Sequence, residues 1–405
     1  MNRAGSLVVK GVNVITLAKA GVLSNVDLRI VDGEIREIGF NLCPHGARVV
    51  EAAGKFVLPG LIDTHVHLKK QSQLLLMLAY GVTTVRNMSG SPQVLLWKEK
   101  VASGEMVGPD IYSTGPIIDG IMFWPGFRIV RTAEEAEQAV LDDVSKGYDF
   151  VKTYPDIPRE AFVRLMETAN GCQMRVVGHG SNVMSAEEMI DLGYYSLEHV
   201  SRLPPDNDDD VVRLAESAMW YVPTLVALRN VLGYIKGGVE IADFPHKDLV
   251  EASMIDEWHH SVQVYRQDKR FGTFDLDGFA HLTRLYRQHS DRILLGTDVG
   301  IPGTLSGLST HDELELLVSM GGFSPLDALL AGTVKAAKLL GRESDLGTVE
   351  VGKLADLLIL DANPLDLITN TRRLGGVIKS GRYFDSNQLA GLVEECRSVV
   401  RSERS

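Results

Sequence analysis

Across residues 57–344 the chain switches repeatedly between short apolar, β-branched runs and longer stretches with helical spacing. Eight such runs occupy residues 57–68, 81–88, 110–115, 149–154, 175–179, 196–199, 219–224 and 292–298. The helical stretches carry their own start and stop signals. Thr132 with Glu135, Ser185 with Glu188 and Thr310 with Glu313 have capping-box spacing, in which a hydroxyl and a carboxylate satisfy the free N–H groups of a first turn. Ser324-Pro325 places a cap and an N1 proline, and Gly147 and Gly193 close their helices. A helix after each strand carries the chain back to the starting edge, so the next strand pairs in parallel. Eight repeats of this unit predict an α/β fold, a (β/α)8 TIM-like barrel.

The flanks read differently. Residues 6–57 hold alternating strands with an Asp32-Gly33 hairpin turn, and residues 345–383 return to the same texture. The expected organisation is a first β-sandwich part at 1–58, the barrel at 59–344, a second β-sandwich part at 345–387 and a C-terminal helix or tail at 388–405. The two β parts are expected to join into one composite sandwich. The connection after the seventh strand is too long for a barrel loop, and helical patterns in it predict a helical insertion at about 225–290.

A net charge of −12 argues against nucleic acid as a partner, since that class needs a basic field. No run approaches the roughly 18–20 apolar residues of a spanning helix, so no membrane partner is expected, and the first residues lack a secretory pattern. Cys43, Cys172 and Cys396 are odd in number and far apart. They fit reduced thiols in a cytoplasmic protein and no cysteine-based zinc site. Residues 117–128 are unusually apolar for a connection. They are expected to bury themselves in a pocket wall or in a contact between copies, a homo-oligomer being the one assembly so suggested.

Active sites of such barrels lie at the C-terminal ends of the strands. The first strand ends in His65 and His67, which with Asp63 share one face at period two. The other strand ends carry Lys152, His179, His199 and Asp298. Four imidazoles, a carboxylate and a lysine suit two borderline divalent cations such as zinc. An ammonium would repel them, so Lys152 must be neutral or modified; a neutral amine takes up carbon dioxide to give a carbamate, an anionic ligand with two oxygens.

These motifs, together with the tail Asp345-Leu346-Gly347-Thr348-Val349-Glu350-Val351-Gly352-Lys353-Leu354-Ala355-Asp356-Leu357, resemble the metal-dependent amidohydrolase superfamily over nearly the whole length. Within it the chain is most similar to the imidazolonepropionase-related, prolidase-like branch of Xaa-Pro dipeptidases and zinc carboxypeptidase-like enzymes. The resemblance implies that His65, His67 and Asp298 hold one Zn2+ ion, that His179 and His199 hold a second, and that carboxylated Lys152 bridges them. It further implies hydrolysis of an amide or peptide-like C–N bond, in a dipeptide or N-acyl amino acid, by a metal-bridging hydroxide with Asp298 as catalytic proton carrier. A lactone, ester or organophosphate substrate is the alternative on the same site; a deaminase or a non-catalytic scaffold ranks below both. Tyr154, His311 and Arg128 are the candidates to touch a small-molecule substrate. Glu198 is expected to be structural, His259 and His260 to be solvated, and the acidic run 206–210 to form a solvated turn. Residues 333–337 read Thr-Val-Lys-Ala-Ala where relatives commonly carry Thr-x-Asn-Pro-Ala or Thr-x-Asn-Ala-Ala, a departure outside the metal ligands.

Overall fold

The computed structural model describes residues 5–203 and 208–404. Strands β1 (Leu7–Ile15), β2 (Val22–Val31), β3 (Glu34–Gly39), β4 (Arg48–Glu51) and β5 (Phe56–Pro59) precede the α/β part. In it follow β6 (Leu61–Val66), β7 (Val82–Asn87), β8 (Asp110–Ser113), β9 (Ile118–Asp119) and β10 (Arg128–Ile129). The chain continues through β11 (Phe150–Thr153), β12 (Arg175–Gly178), β13 (Ser196–Glu198) and β14 (Trp220–Val222). Near the C-terminus come β15 (Leu357–Leu360), β16 (Leu374–Lys379) and β17 (Arg382–Asp385).

The architecture is mixed α/β with parallel sheets. β6-β7-β8 form one parallel sheet, and β10-β9-β11-β12-β13-β14 form another. Every residue of β6 and β7 is buried, as helices on the outside and side chains within require of a parallel strand. Isolated parallel bridges continue the pairing beyond the strands: Thr114 with Phe150, Tyr221 with Ile293, and Val66 with Val299. Residues 292–298 differ from expectation here. They form no regular strand, only these bridges and single bonds such as Thr64 N–H to Leu295 O at 3.0 Å, because the segment bends into a left-handed turn at Asp298, φ +55°.

The terminal β segments meet in a single eight-stranded sheet, ordered β17-β16-β15-β5-β1-β2-β3 with β4 on β1. β15 lies antiparallel to β5 and ties the far end of the sequence to the strand just before β6. Residues 347–353, expected as a turn-rich β-segment, are turns and bends with no strand, held by bonds such as Val349 N–H to Thr16 O. Lys379 fastens this sheet to the α/β part: its ammonium donates to Asp110 and to Asp356, both at 2.8 Å, and Asp356 also accepts from Ser380 N–H. Lys379→Met would strand the buried Asp356 carboxylate. A loss of about 3–5 kcal/mol in urea unfolding is expected, because one partner of a buried pair is left without its counter-charge.

The helix signals hold where both partners are local. Thr132 with Glu135, Ser185 with Glu188 and Ser324 with Asp327 all form capping boxes. Thr310 and Glu313 do not, since their helix begins two residues earlier at Leu308. Glu313 instead accepts the N–H groups of Leu225 and Val226, at 3.0 and 2.6 Å, and so caps helix Leu225–Lys236 from across the fold. Asp208–Asp210 open helix Asp208–Glu216, while Asp206 and Asn207 lie outside the described residues.

Between β14 and residue 292 run helices Leu225–Lys236, Ala252–Gln267, Lys269–Thr273 and Leu276–His289. Helix Ala252–Gln267 buries Met254, Trp258 and Val262, one stripe at four-residue spacing, in a cluster with Leu75, Tyr234 and Leu249. The Trp258 indole donates to Gly300 O at 3.3 Å, fixing this helix against the loop that follows Asp298. No helix among the described residues is long and apolar enough to cross a membrane.

Candidate metal centre

The centre is built on Asp63, in the middle of β6 and wholly buried. Its carboxylate accepts His65 N–H at 3.2 Å and Thr297 N–H at 3.1 Å through Oδ1, and the hydroxyls of Thr297 (2.7 Å) and Thr310 (3.1 Å) through Oδ2. Burial nevertheless raises its pKa to about 6. These bonds set residues 297–298 beside the histidine pair. Asp298 N–H donates to His65 O and His67 N–H to Val299 O, both at 2.7 Å. Gly296 permits the approach: a Cβ there would stand 2.4 Å from Val222 Cγ1 and 2.9 Å from His65 Cβ.

Around this frame the six expected ligands converge. Asp298 Oδ1 lies 3.0 Å from His67 Nε2 and 3.4 Å from His65 Nε2, and its Oδ2 lies 3.8 Å from His199 Nδ1. Ring centroids are 5.4 Å apart for His65 and His67, 4.6 Å for His65 and His199, and 4.7 Å for His179 and His199. Donor atoms of His65, His199 and Asp298 fall within 4.8 Å of one another, a group able to hold a metal ion. His199, Thr224 and Asp298 all have positive φ, at +72°, +51° and +55°. Three non-glycine residues in a sparsely populated region at one place are backbone strain of the kind that gathers at working sites.

The electrostatics are those of a ligand set. Burial, aided by Lys152, lowers the pKa of His65 to about 4, and burial, with neighbouring cations, takes His179 and His199 well below the ordinary value, so all three are neutral near pH 7. Burial would raise the Asp298 carboxyl, but His199, His67 and His65 outweigh it and hold the group ionised. Burial lowers Lys152 to about 8 against the pull of Glu198 and Asp298. Lys152 Nζ, both ring nitrogens of His179, His65 Nε2 and Asp298 Oδ1 are buried without a hydrogen-bond partner among the described residues. Orphaned donors and acceptors are costly inside a protein, and these five atoms from four residues belong to one place.

Glu198 and Arg86 complete the centre: Glu198 was expected to be structural but not to hold His65, and Arg86 was not singled out from sequence. His65 Nδ1–H donates to Glu198 Oε2 at 2.7 Å, which leaves Nε2 as a lone pair facing Asp298. Arg86, buried in β7, donates to Glu198 Oε1 at 2.8 Å, to Thr64 O at 2.6 Å and to the Ser196 hydroxyl at 3.0 Å. Burial would lift the Glu198 carboxyl, but Arg86 and His65 more than offset it and keep it charged. The available signal was Arg86 itself, because an arginine in an otherwise uncharged buried strand demands a buried carboxylate. His199 is steadied by the Thr224 hydroxyl, 2.8 Å from its Nδ1. Glu198→Gln is expected to weaken metal affinity about 10–100-fold, as for other carboxylates that orient a ligating histidine. Competition with a chelator, on protein of unaltered circular dichroism, measures it.

A cavity of about 1000 Å³ opens over these residues, with His67, His179, His199 and Asp298 in its floor. Tyr154 lines it and stacks on His179, ring centroids 3.8 Å apart, and burial pushes its phenol well up, so it stays protonated. The apolar loop after β8 supplies a wall through Ile117, Phe123, Trp124 and Phe127. The other two expected substrate contacts are placed elsewhere. Arg128 donates to Ala139 O at 2.6 Å and pairs with Asp143 at 3.0 Å, outside the cavity. His311 is buried with Nδ1 2.9 Å from the Thr371 hydroxyl and Nε2 2.9 Å from Tyr80 O, so neither nitrogen is open to a substrate. His259 and His260 are exposed as expected, yet His260 stands at the cavity wall.

Comparison with known proteins gives a consistent outcome. The model of the Amidohydrolase family matches residues 56–383. A dihydroorotase from Pelotomaculum thermopropionicum is 25% identical over 395 residues, covering 89% of this chain and 90% of the relative. A 5'-deoxyadenosine deaminase from Methanobrevibacter smithii is 23% identical over 406 residues, covering 89% and 86%. Among solved structures, bottromycin amidohydrolase superposes with a TM-score of 0.80 at 25% identity, covering 98% of this chain and 91% of that one.

Proposed function

The chain belongs to the amidohydrolase family, and from that premise we propose that it hydrolyses an amide or peptide-like C–N bond of a dipeptide or N-acyl amino acid. The observation that carries the reading is the set of buried, unpartnered donor atoms on Lys152, His65, His179 and Asp298. We read the strands around them as a closed (β/α)8 barrel, supported by the parallel bridges at Thr114, Tyr221 and Val66. The residues would suit two divalent cations, zinc by donor type: His65, His67 and Asp298 would hold one and His179 and His199 the other, with a carbamate on Lys152 as a further anionic ligand. Cations bound there would supply Lewis-acid polarisation of the scissile carbonyl and acidify water towards neutrality.

The chain's own groups then do the following. Lys152, as a neutral amine, forms an N–C bond to carbon dioxide and releases one proton, becoming an anion in a site that would otherwise strand an ammonium. Glu198 holds the His65 tautomer, and Arg86 holds Glu198. Asp298, ionised, takes a proton from the attacking water at a carboxylate oxygen and delivers it to the departing nitrogen. Tyr154 stays protonated beside His179 and can donate to the substrate carbonyl oxygen. The aromatic loop 123–127 and the helical insertion line the cavity over these groups.

Zinc-loaded protein should release free amine from a panel of dipeptides and N-acyl amino acids, followed by amine labelling, and lose this activity to a chelator. Hydrolysis of matched lactones or esters with inert amides would sink the amide reading in favour of an ester-type substrate. Release of ammonia from aminopurines alone would point to deamination, as in the name of the Methanobrevibacter smithii relative.

A further inference from the structure

The cavity is far larger than the ligand cluster beneath it, and a run of aromatic rings lines one side of it, beside the polar Ser253, Asp256, Glu257 and Ser261. Trp124 meets Tyr265 edge-on at 6.4 Å, His260 at 5.9 Å and Phe123 at 5.4 Å. Tyr265 lies against Phe271 at 4.7 Å. Lower down, Phe127 meets Tyr154 edge-on at 4.8 Å, and Tyr154 stacks on His179. All of these rings line the same cavity. A nearly continuous series of aromatic surfaces therefore leads from the ligand His179 outward.

The rings come from separate parts of the chain. Phe123, Trp124 and Phe127 belong to the loop after β8, whereas His260, Tyr265 and Phe271 belong to helices Ala252–Gln267 and Lys269–Thr273 of the insertion. On the first of these helices Met254, Trp258 and Val262 are buried in a cluster with Leu75, Tyr234 and Leu249, while His260 and Tyr265 line the cavity. The contacts at Trp124 are perpendicular or nearly so, with interplanar angles of 75–89°, so these rings are held without stacking face to face on one another. Ligand cavities usually span about 300–1,000 Å³, and this one is at the upper end. A small aliphatic acyl group would leave most of that aromatic area wet.

We propose that loop 123–127 and the helical insertion together form an aromatic subsite, which selects substrates whose group next to the scissile bond is a large, planar, fused-ring aromatic. The substrate class is thus an amino acid N-acylated by a fused-ring aromatic acid. This rests on the amide reading above for the bond that is cleaved, and on the aromatic wall alone for the group that is bound.

Binding and turnover separate the two. Acetate, benzoate and 2-naphthoate share a carboxylate and differ in the ring, so their binding to the zinc-loaded full-length chain, measured by calorimetry, reads the wall directly. Affinity should rise along the series, with 2-naphthoate about tenfold tighter than benzoate, as added aromatic contact and apolar burial predict. Trp124→Ala, in an exposed loop, and Tyr265→Leu, on the insertion, should each remove most of that ratio while leaving acetate binding and zinc content unchanged. Equal affinities for benzoate and 2-naphthoate, or a ratio that survives both substitutions, would overturn the subsite. Turnover of N-acetyl-, N-benzoyl- and N-(2-naphthoyl)alanine completes the test. Ring-dependent binding with no amide cleaved supports the subsite and removes the amide reading. Equal cleavage of acetyl and naphthoyl amides, unaltered in Trp124→Ala, supports the amide reading and removes the subsite.

Discussion

Asp298→Asn is expected to lower kcat by about 10³–10⁴-fold, the upper part of the range for a positioned proton carrier. The amide preserves the volume and one oxygen, but it neither accepts a proton at neutral pH nor offers an anion to a cation. Asp298 is held ionised by His199, His67 and His65, so the wild-type base is in its working form throughout the neutral range. The change should fall on kcat more than on KM, because the aromatic walls that would hold the substrate are untouched. Steady-state kinetics on the substrate found by amine release, alongside zinc content, measures it. A variant within tenfold of wild type would assign the proton to another group. A variant that has simply lost zinc would make Asp298 a ligand first.

The second large effect is expected at Lys152. Lys152→Ala should abolish stable binding of two cations and reduce activity by about 10³-fold or more, since the anion proposed to join them would be missing. Short carboxylic acids such as formate or propionate carry the same two oxygens as a carbamate and should restore part of the activity. The wild type makes a linked prediction in pH. Only the neutral amine reacts with carbon dioxide, and burial lowers this amine to about 8. At fixed dissolved carbon dioxide, zinc loading of the metal-free protein should therefore quicken from pH 7 to pH 9 and level off above. A flat profile, or a Lys152→Ala variant that loads two equivalents of zinc, would eliminate the carbamate.

What the sequence made legible was set by how local each interaction is. The box at Thr132 and Glu135 could be read directly, because both partners lie within one turn and no distant group competes. The same spacing at Thr310 and Glu313 misled, because two N–H groups at the start of helix Leu225–Lys236 claim Glu313 and Asp63 claims Thr310. Residues 292–298 have the composition of a strand, yet the bend at Asp298 and the pull of Asp63 on Thr297 leave only bridges. The expected ligands could be named because each lies in or just past an apolar run whose alternation the sequence shows, and the fold brings them together. The role of Glu198 could not be read, because it depends on Arg86, which is 112 residues away. His311 and Arg128 could be named as polar residues near the right loops, but their bonds to Thr371, Tyr80 and Asp143 are tertiary and leave no trace in spacing.

The Asp63 clasp on Thr297 also bears on how the chain is made. Its partners are 234 residues apart, so the histidine pair and Asp298 cannot be brought together until nearly three hundred residues have left the ribosome. Contacts of such sequence separation form late and fold slowly. A cation that binds only the assembled site would then favour the finished topology by mass action. In a cell short of that cation, the expected lesion is a pool of full-length chains with β6 and residues 297–299 transiently parted, visible as selective amide exchange at His67 and Asp298. Supply of such a cation would then act on the lifetime of the chain as well as on any activity that needs it.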